Sequence, residues 1–416
     1  MHWNLGYGHK AFEFSSLLSA AATNKAERFS GYPPYHFVGG NIDEPTVPVE
    51  ALADAVSKVI RHQGHGLAKY GMNGGPQGHL ALREFICNCL KSRNEIAAKP
   101  EEVLLTSGSL QAIDLVNKAL LSKGDVVLLE AANYSGVLTR LDALGVEYIG
   151  IDLDHNGMRM DALERSLSEL ASAGRKPKYI YTIPTIQNPT GSVMPVERRL
   201  EMLTLAKTHN VAIFEDDCYA DLVFSGQRPP AIYALDDDQQ VIYCGTFSKT
   251  IAPALRVGYL IAPWQLVSYI LPLKTDAGSG ALEQMVLAEY LPGNFDDHVS
   301  SLLPMLKAKA DALCQSLDEH FGAYVTYEKP IGGIYLWVTL PENVDTGQLF
   351  QAALKQGVEI NPGSQWAVDG KANRRRMRLC FGHPSIDNIR EGIAKLADIC
   401  FEEFGVPVRS GNVERS

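Results

Sequence analysis

Residues 241–261 read VIYCGTFSKTIAPALRVGYLI. Two short apolar runs, Val241 to Cys244 and Gly258 to Ile261, bracket a turn that holds Thr246, Ser248, Lys249 and Arg256. Runs this short and apolar on both faces predict strands buried within a parallel sheet. A lysine directly after such a strand is unusual. Lysine forms Schiff bases with carbonyls once burial or neighbouring cations lower its pKa. Arg256 and the hydroxyls of the turn add the groups of a phosphate site beside that amine. On this segment alone, a surface lysine at a strand end is the competing reading.

The flanking chain extends the pattern. Val103 to Thr106, Asp125 to Glu130, Val146 to Ile151, Tyr179 to Ile183 and Val211 to Phe214 are predicted as further strands. Helical patterns separate them, among them Leu110 to Leu121 and Glu197 to Lys207, the latter preceded by Pro195 as a first-turn proline. Such alternation predicts an α/β fold with a mostly parallel sheet between helices. After about residue 290 the texture changes. A helix over Leu302 to Phe321, a strand over Tyr335 to Leu340 and a helix over Leu349 to Gln356 are predicted. A strand over Met377 to Phe381 and a helix over Ile386 to Phe404 follow, giving a small α+β domain. The expected division is a large domain over 46–290 and a small domain built from 1–45 and 291–416. No internal repeat is present, and the polar end of the chain (PVRSGNVERS) is expected to fray.

Composition narrows the function. The chain has 416 residues, 46% of them hydrophobic and 21% charged, as in ordinary globular proteins. Its 38 Lys and Arg against 48 Asp and Glu give a net charge of −10, which argues against nucleic acid as a partner. No apolar run approaches the roughly 20 residues that span a bilayer, and no basic amphipathic helix addresses a membrane surface. The N-terminus (MHWNLGYGHKAFEF) has no secretory pattern. Seven scattered cysteines without a CxxC exclude a disulfide framework and a structural zinc site. Free thiols in the cytoplasm are expected.

Three further strand ends carry polar groups. Ser107-Gly108-Ser109 opens a helix and reads either as an anion site or as an ordinary N-cap. Asn188-Pro189-Thr190-Gly191 is first of all a turn, set where ligands bind in open α/β sheets. Glu215-Asp216-Asp217 reads as a cation partner, a Mg²⁺ site or a solvated acidic loop. No Walker A or GxGxxG sequence supports a nucleotide site. Four such segments at strand ends, one with a lysine, make the bland readings jointly unattractive.

In order and spacing these segments resemble pyridoxal-phosphate (PLP) enzymes of fold type I, specifically class I/II aminotransferases. The resemblance rests on Tyr70-Gly71, Thr106 to Ser109, Asn188 to Gly191, Asp216 to Tyr219, Ser248-Lys249 with Arg256, and Arg378 to Gly382. Pro330 to Trp337 is similar to the 2-aminoadipate and aromatic aminotransferase subgroup, which also includes halves of winged-helix regulators. No winged helix is expected ahead of Phe37, so the regulator reading is set aside.

The resemblance implies a role for each residue. Lys249 holds PLP as a Schiff base and moves the proton. Asp216 pairs with the ring nitrogen. Asn188 and Tyr219 bond the phenolic oxygen. Ser107, Gly108, Ser109, Ser248, Arg256 and Thr246 hold the phosphate, and Tyr134 stacks on the ring. Arg378 clamps the substrate carboxylate, joined by Asn188 and by the backbone at Gly40. Tyr70 reaches the neighbouring subunit's phosphate, which implies a homodimer with shared active sites. Two stretches depart from the family pattern. MNGGPQGHLA after Gly71 carries extra residues, and Gly39 to Pro45 replaces the usual Gly-x-Pro.

The activity implied is amino-group transfer between an L-amino acid and a 2-oxo acid, with no metal. Rivals are a β-lyase, decarboxylase or oxidase on the same scaffold, or a non-catalytic ligand-binding relative. A metal-dependent phosphatase leaves Lys249 and Arg378 unexplained. Arg28, Tyr32, Tyr35 and His36 are candidates for the substrate side-chain pocket.

Overall fold

A computed structural model describes residues 12–19, 22, 25–26, 28–71 and 74–408. The start of the chain through 11, Met72-Asn73 of the atypical segment and the tail from 409 lie outside the described residues. The chain divides into two compact units, Met1–Tyr32 and Pro33–Ser416. In the first, Phe12 meets Phe14 edge to face with centroids 4.9 Å apart, and Phe29 meets Tyr32 at 5.2 Å.

The second unit opens with β1 (Tyr35–His36), α1 (Val49–Gln63), α2 (Leu80–Asn94), β2 (Val103–Thr106) and α3 (Ser109–Leu120). It continues with β3 (Val126–Glu130), α4 (Ser135–Leu144), β4 (Glu147–Ile151), β5 (Leu153–Asp154), β6 (Gly157–Met158) and α5 (Met160–Ser172). Next come β7 (Tyr179–Thr182), α6 (Val196–His209), β8 (Ala212–Asp216), β9 (Val241–Thr246), β10 (Gly258–Ile261), α7 (Trp264–Ile270) and α8 (Ala281–Tyr290). The chain then forms α9 (Phe295–His320), β11 (Thr326–Tyr327), β12 (Tyr335–Thr339), α10 (Thr346–Lys355) and β13 (Val358–Glu359). Last are β14 (Asn361–Pro362), β15 (Arg376–Cys380) and α11 (Ile386–Phe404).

Seven strands form the main sheet in the order β2-β10-β9-β8-β7-β3-β4. The strands β2, β3 and β7 are buried along their whole length, because apolar layers cover both faces. Leu104 packs on one face with Ile113 and Val116 of α3. Its neighbour Leu105 packs on the other with Leu82 and Ile86 of α2. All strand pairs are parallel except those of β10, which is antiparallel to both β2 and β9. Gly258 to Ile261 therefore does not continue the parallel series. The reason is length. Residues 247–257 leave too little chain for a crossover, which needs about a dozen residues or more, so the strand returns as a hairpin.

A second sheet, β11-β12-β15-β14, is antiparallel and backed by a core of α9 and α11 residues such as Leu313, Leu317, Ile393 and Leu396. Helix α9 begins upstream of its expected start and runs through Pro304. Phe295 and Val299 account for the extension, since both are buried against the α2 and α8 layer. Lys309 of α9 pairs with Asp43 at 2.5 Å and donates to the carbonyls of Gly382 and His383. That pair ties the N-terminal loop to the segment following β15.

The carboxyl ends of β3, β7, β8 and β9 meet at one edge of the main sheet. Glu130 stitches two of them together. It accepts from Thr182 Oγ1 at 2.6 Å, from Ile183 N at 3.0 Å and from Asn133 Nδ2 at 2.6 Å. Burial pushes its carboxyl from the ordinary 4.5 up to about 7, against the pull of those bonds. Between these values the native state binds a proton that the unfolded chain does not. Its contribution is therefore greatest at low pH and falls as pH rises through the window. Glu130→Gln is expected to flatten the decline of stability between about pH 4.5 and about pH 7, measured by denaturant titration. Part of the slope should persist, because burial and the adjacent Asp217 push Glu215 up to about 7 as well.

Candidate active site

The turn after β9 is built by its own hydroxyls. Thr246 Oγ1 donates to Ser248 Oγ at 2.9 Å, and Ser248 N donates to Thr246 Oγ1 at 3.2 Å. Phe247 N donates to Val257 O at 3.1 Å and closes the hairpin. Buried Phe247 and Ile251 anchor it from below. Lys249 is thereby held inside, with Nζ donating to Gly40 O at 2.7 Å. Among the described residues no carboxylate lies in ion-pair reach of it. Burial lowers its pKa, and the cations Arg378 and Arg256 add to the effect, against nearby Cys218 and Cys380. A neutral amine is a nucleophile and a base.

At the far end of the hairpin, Arg256 adopts a left-handed conformation (φ +53°) that turns its side chain back over the start of α3. Its Nη2 donates to Ser107 O at 3.0 Å. Gly108 caps α3 at φ +81°, and a Cβ there would collide with the Arg256 guanidinium. A guanidinium, the helix N-terminus and the hydroxyls of Ser109, Thr246 and Ser248 thus converge, which is an anion cradle.

Asp216 ends β8. Tyr181 OH donates to its Oδ2 at 2.6 Å, while Oδ1 is buried and makes no hydrogen bond of its own. Burial raises this carboxyl's pKa, and polar groups of Cys218 and Tyr181 oppose the rise. Its neighbours are otherwise engaged. Glu215 accepts from the backbone of Ile232 and Tyr233, and Asp217 pairs with Arg228 at 2.6 Å. The acidic run is buried and internally engaged, not a solvated loop. No cluster of three or more His, Cys, Asp or Glu that could hold a metal exists among the described residues.

Arg378 reaches the same space from β15. Its Nη1 donates to Asn188 Oδ1 at 3.0 Å and its Nη2 to Gly39 O at 2.7 Å. The guanidinium lies 3.9 Å above the Trp366 ring and 5.2 Å from the Tyr335 ring, which fixes its plane. Asn188 Nδ2 donates to Tyr219 OH at 3.4 Å. Together these groups enclose a cavity of about 280 Å³ whose walls include Gly40, Ser109, Tyr134, Asn188, Asp216 and Tyr219. Thr246, Ser248, Lys249, Arg256 and Arg378 complete it.

Some expected residues stand elsewhere. Ser107 and Gly108 lie behind the wall, touching it through Arg256. Tyr70 is 91% exposed and does not line the cavity. Tyr35 donates to Glu391, and His36 bonds Glu359 at 2.7 Å, so neither enters the side-chain space. Arg28 and Tyr32 are exposed in the first compact unit. Conversely, Tyr181, Trp366 and Asn361 were not singled out from sequence. Trp366 sits in a polar loop, and Tyr181 reads as one more apolar strand residue.

Residues 39–396 match the family model for aminotransferase class I and II. Aromatic-amino-acid aminotransferase 1 of Thermococcus litoralis is 33% identical over 400 residues, covering 95% of this chain and 93% of that relative. The solved multiple substrate aminotransferase from Thermococcus profundus superposes with a TM-score of 0.88 at 32% identity, over 95% of this chain and 100% of that one. An α-aminoadipate aminotransferase from Thermus thermophilus, complexed with N-(5'-phosphopyridoxyl)-L-leucine, gives 0.84 at 29% identity, over 93% and 98%.

The support under Asp216 is testable alone. Arg228→Met leaves the Asp217 carboxylate, whose side chain is 1% exposed, without its counter-charge. The expected loss is about 3–5 kcal/mol in thermal or denaturant unfolding, partly recovered when Asp217→Asn is added.

Proposed function

The chain belongs to the aminotransferase class I and II family, and from that premise we propose how its residues carry the reaction. It is a PLP-dependent enzyme of fold type I that transfers an amino group between amino and 2-oxo acids. The cavity suits this cofactor by its own geometry. A buried, unpartnered Asp216 Oδ1 awaits a donor, a cationic cradle awaits an anion, and a desolvated amine stands within the same walls.

When bound, the cofactor supplies a conjugated cationic ring that withdraws the electron pair left at the substrate α-carbon. Lys249 Nζ would hold the cofactor, and as a desolvated amine it is placed to accept the substrate α-proton and return it. Asp216 Oδ1 would accept from the ring N–H. Its bond from Tyr181 favours the charged carboxylate, against the burial that raises its pKa. Asn188 Nδ2 and Tyr219 OH would hold the phenolic oxygen, and Tyr134 would cover the ring. Arg256, Ser248, Thr246 and Ser109 would bind the phosphate, with Ser107 and Gly108 positioning Arg256 from behind. Arg378 and Asn188 receive the substrate carboxylate, and Gly40 has no side chain because a Cβ there would strike Lys249 Nζ.

The observation that carries this assignment is geometric: the Lys249 amine, with no carboxylate in ion-pair reach among the described residues, lines the same cavity as the Asp216 carboxylate, Arg256 and Arg378. PLP added to the wild-type protein is expected to give a visible absorption band that Lys249→Ala lacks. An amino acid alone should discharge the band once per site. Continuous release of ammonia or carbon dioxide would point to lyase or decarboxylase chemistry instead.

A homodimer with shared sites is part of the same proposal. Val49, Val56 and Ile60 recur on one face of α1, all exposed, and exposed Leu67 and Tyr70 follow in sequence. We propose the division into a large domain over 46–290 and a small one from the two chain ends, with Met1–Tyr32 a compact unit of its own and the site between the two sheets. No helix among the described residues is long and apolar enough to cross a membrane, and all seven cysteines are free, which supports a reducing compartment. Sedimentation should give twice the chain mass, and Tyr70→Ala should weaken PLP binding without dissociating the dimer. A monomer with full activity contradicts shared sites.

A further inference from the structure

We propose that Asn361 is a substrate-binding residue: its side-chain amide donates to the same carboxylate that Arg378 receives. The inference rests on the reading of Arg378 given above and adds a second donor to it. Asn361 is 7% exposed and lines the cavity with Arg378, Trp366 and Lys249. Its Nδ2 is buried without a hydrogen-bond partner. Buried donors without acceptors are uncommon and destabilising, so each one needs a reason.

The ladder supplies that reason. Asn361 of β14 stands directly opposite Arg378 of β15. Opposed residues of antiparallel strands project from one face, with Cβ atoms about 4.5–5.5 Å apart. Arg378 is itself incompletely satisfied. Asn188 Oδ1 takes its Nη1 and Gly39 O its Nη2, while Nε is buried and unpartnered. Two neighbouring side chains therefore present idle N–H groups toward one cavity, one of them cationic. Two donors beside a positive charge match the two oxygens of a carboxylate.

The backbone at Asn361 is fixed against β15. Pro362 follows it, and Gly363 packs so tightly that a Cβ would lie 2.5 Å from Arg376 O and 2.6 Å from Asn373 O.

The experiment uses the PLP-loaded enzyme and a probe that cannot react, 3-phenylpropionate, with binding measured by calorimetry. Asn361→Leu is expected to weaken the probe about tenfold, and Asn361→Asp, which adds a like charge, more than that. KM for both amino and oxo acid should rise while kcat stays within about twofold. The visible band should be unchanged, and the ligand-free melting temperature of Asn361→Leu should rise, because an unpaired buried amide has been removed. Asn361→Ala serves in its place if Asn361→Leu does not fold. Probe affinity within about twofold of wild type in the folded variants overturns the proposal. Arg378→Leu separates the two readings. If it loses affinity while the Asn361 variants do not, Arg378 stands alone as the seat. If neither loses affinity, the carboxylate binds elsewhere and both readings fall.

Discussion

The site depends on one lysine amine held out of water. Three buried or half-buried lysines make the point by contrast. Lys309 has Asp43, and Lys274, with its side chain 1% exposed, has Asp276. Among the described residues Lys249 has only the carbonyl oxygen of Gly40. With no carboxylate in reach among the described residues, Cys218 and Cys380 offset its desolvation only in part, and two neighbouring guanidinium groups add to the cost of the charged form. The hairpin from β9 to β10 exists in the shape required to impose this. Its short connection forces β10 antiparallel, which returns Arg256 to the same edge of the sheet as Lys249.

The small sheet supplies the opposing half. Arg378 is stacked on Trp366 and bonded to Asn188, so its guanidinium plane is fixed before any ligand arrives. Gly39 O and Gly40 O meanwhile accept from the Arg378 guanidinium and the Lys249 amine. The N-terminal loop thus satisfies both groups by hydrogen bonds from its own backbone, which ligand groups can replace. Its other end is tied down through Asp43 and Lys309, so the loop is anchored beside the site it covers.

Much of this was legible in the residues. Strand ends carry most of the chemistry, and short apolar runs mark strand ends well, so Lys249, Asp216 and Asn188 could be found by position. The direction of β10 was hidden in loop length, not in its own residues, which look like any buried strand. Trp366 and Asn361 were missed for a different reason. Asn361 meets Arg378 only through the β14–β15 register, and Trp366 meets it from the turn that follows β14, so neither contact shows in the local sequence. Tyr181 is an apolar-looking strand residue whose hydroxyl matters because Asp216 is the neighbour across β7 and β8. Tyr70 is 91% exposed in the single chain, so the role proposed for it would require a second copy.

The central claim is that Lys249 Nζ is the atom that binds the cofactor. Borohydride reduction of the PLP-loaded protein, followed by peptide mass analysis, tests it most directly. The account predicts one phosphopyridoxyl group per chain, on Lys249. A modification spread over surface lysines, or none on the peptide containing Lys249, would contradict it.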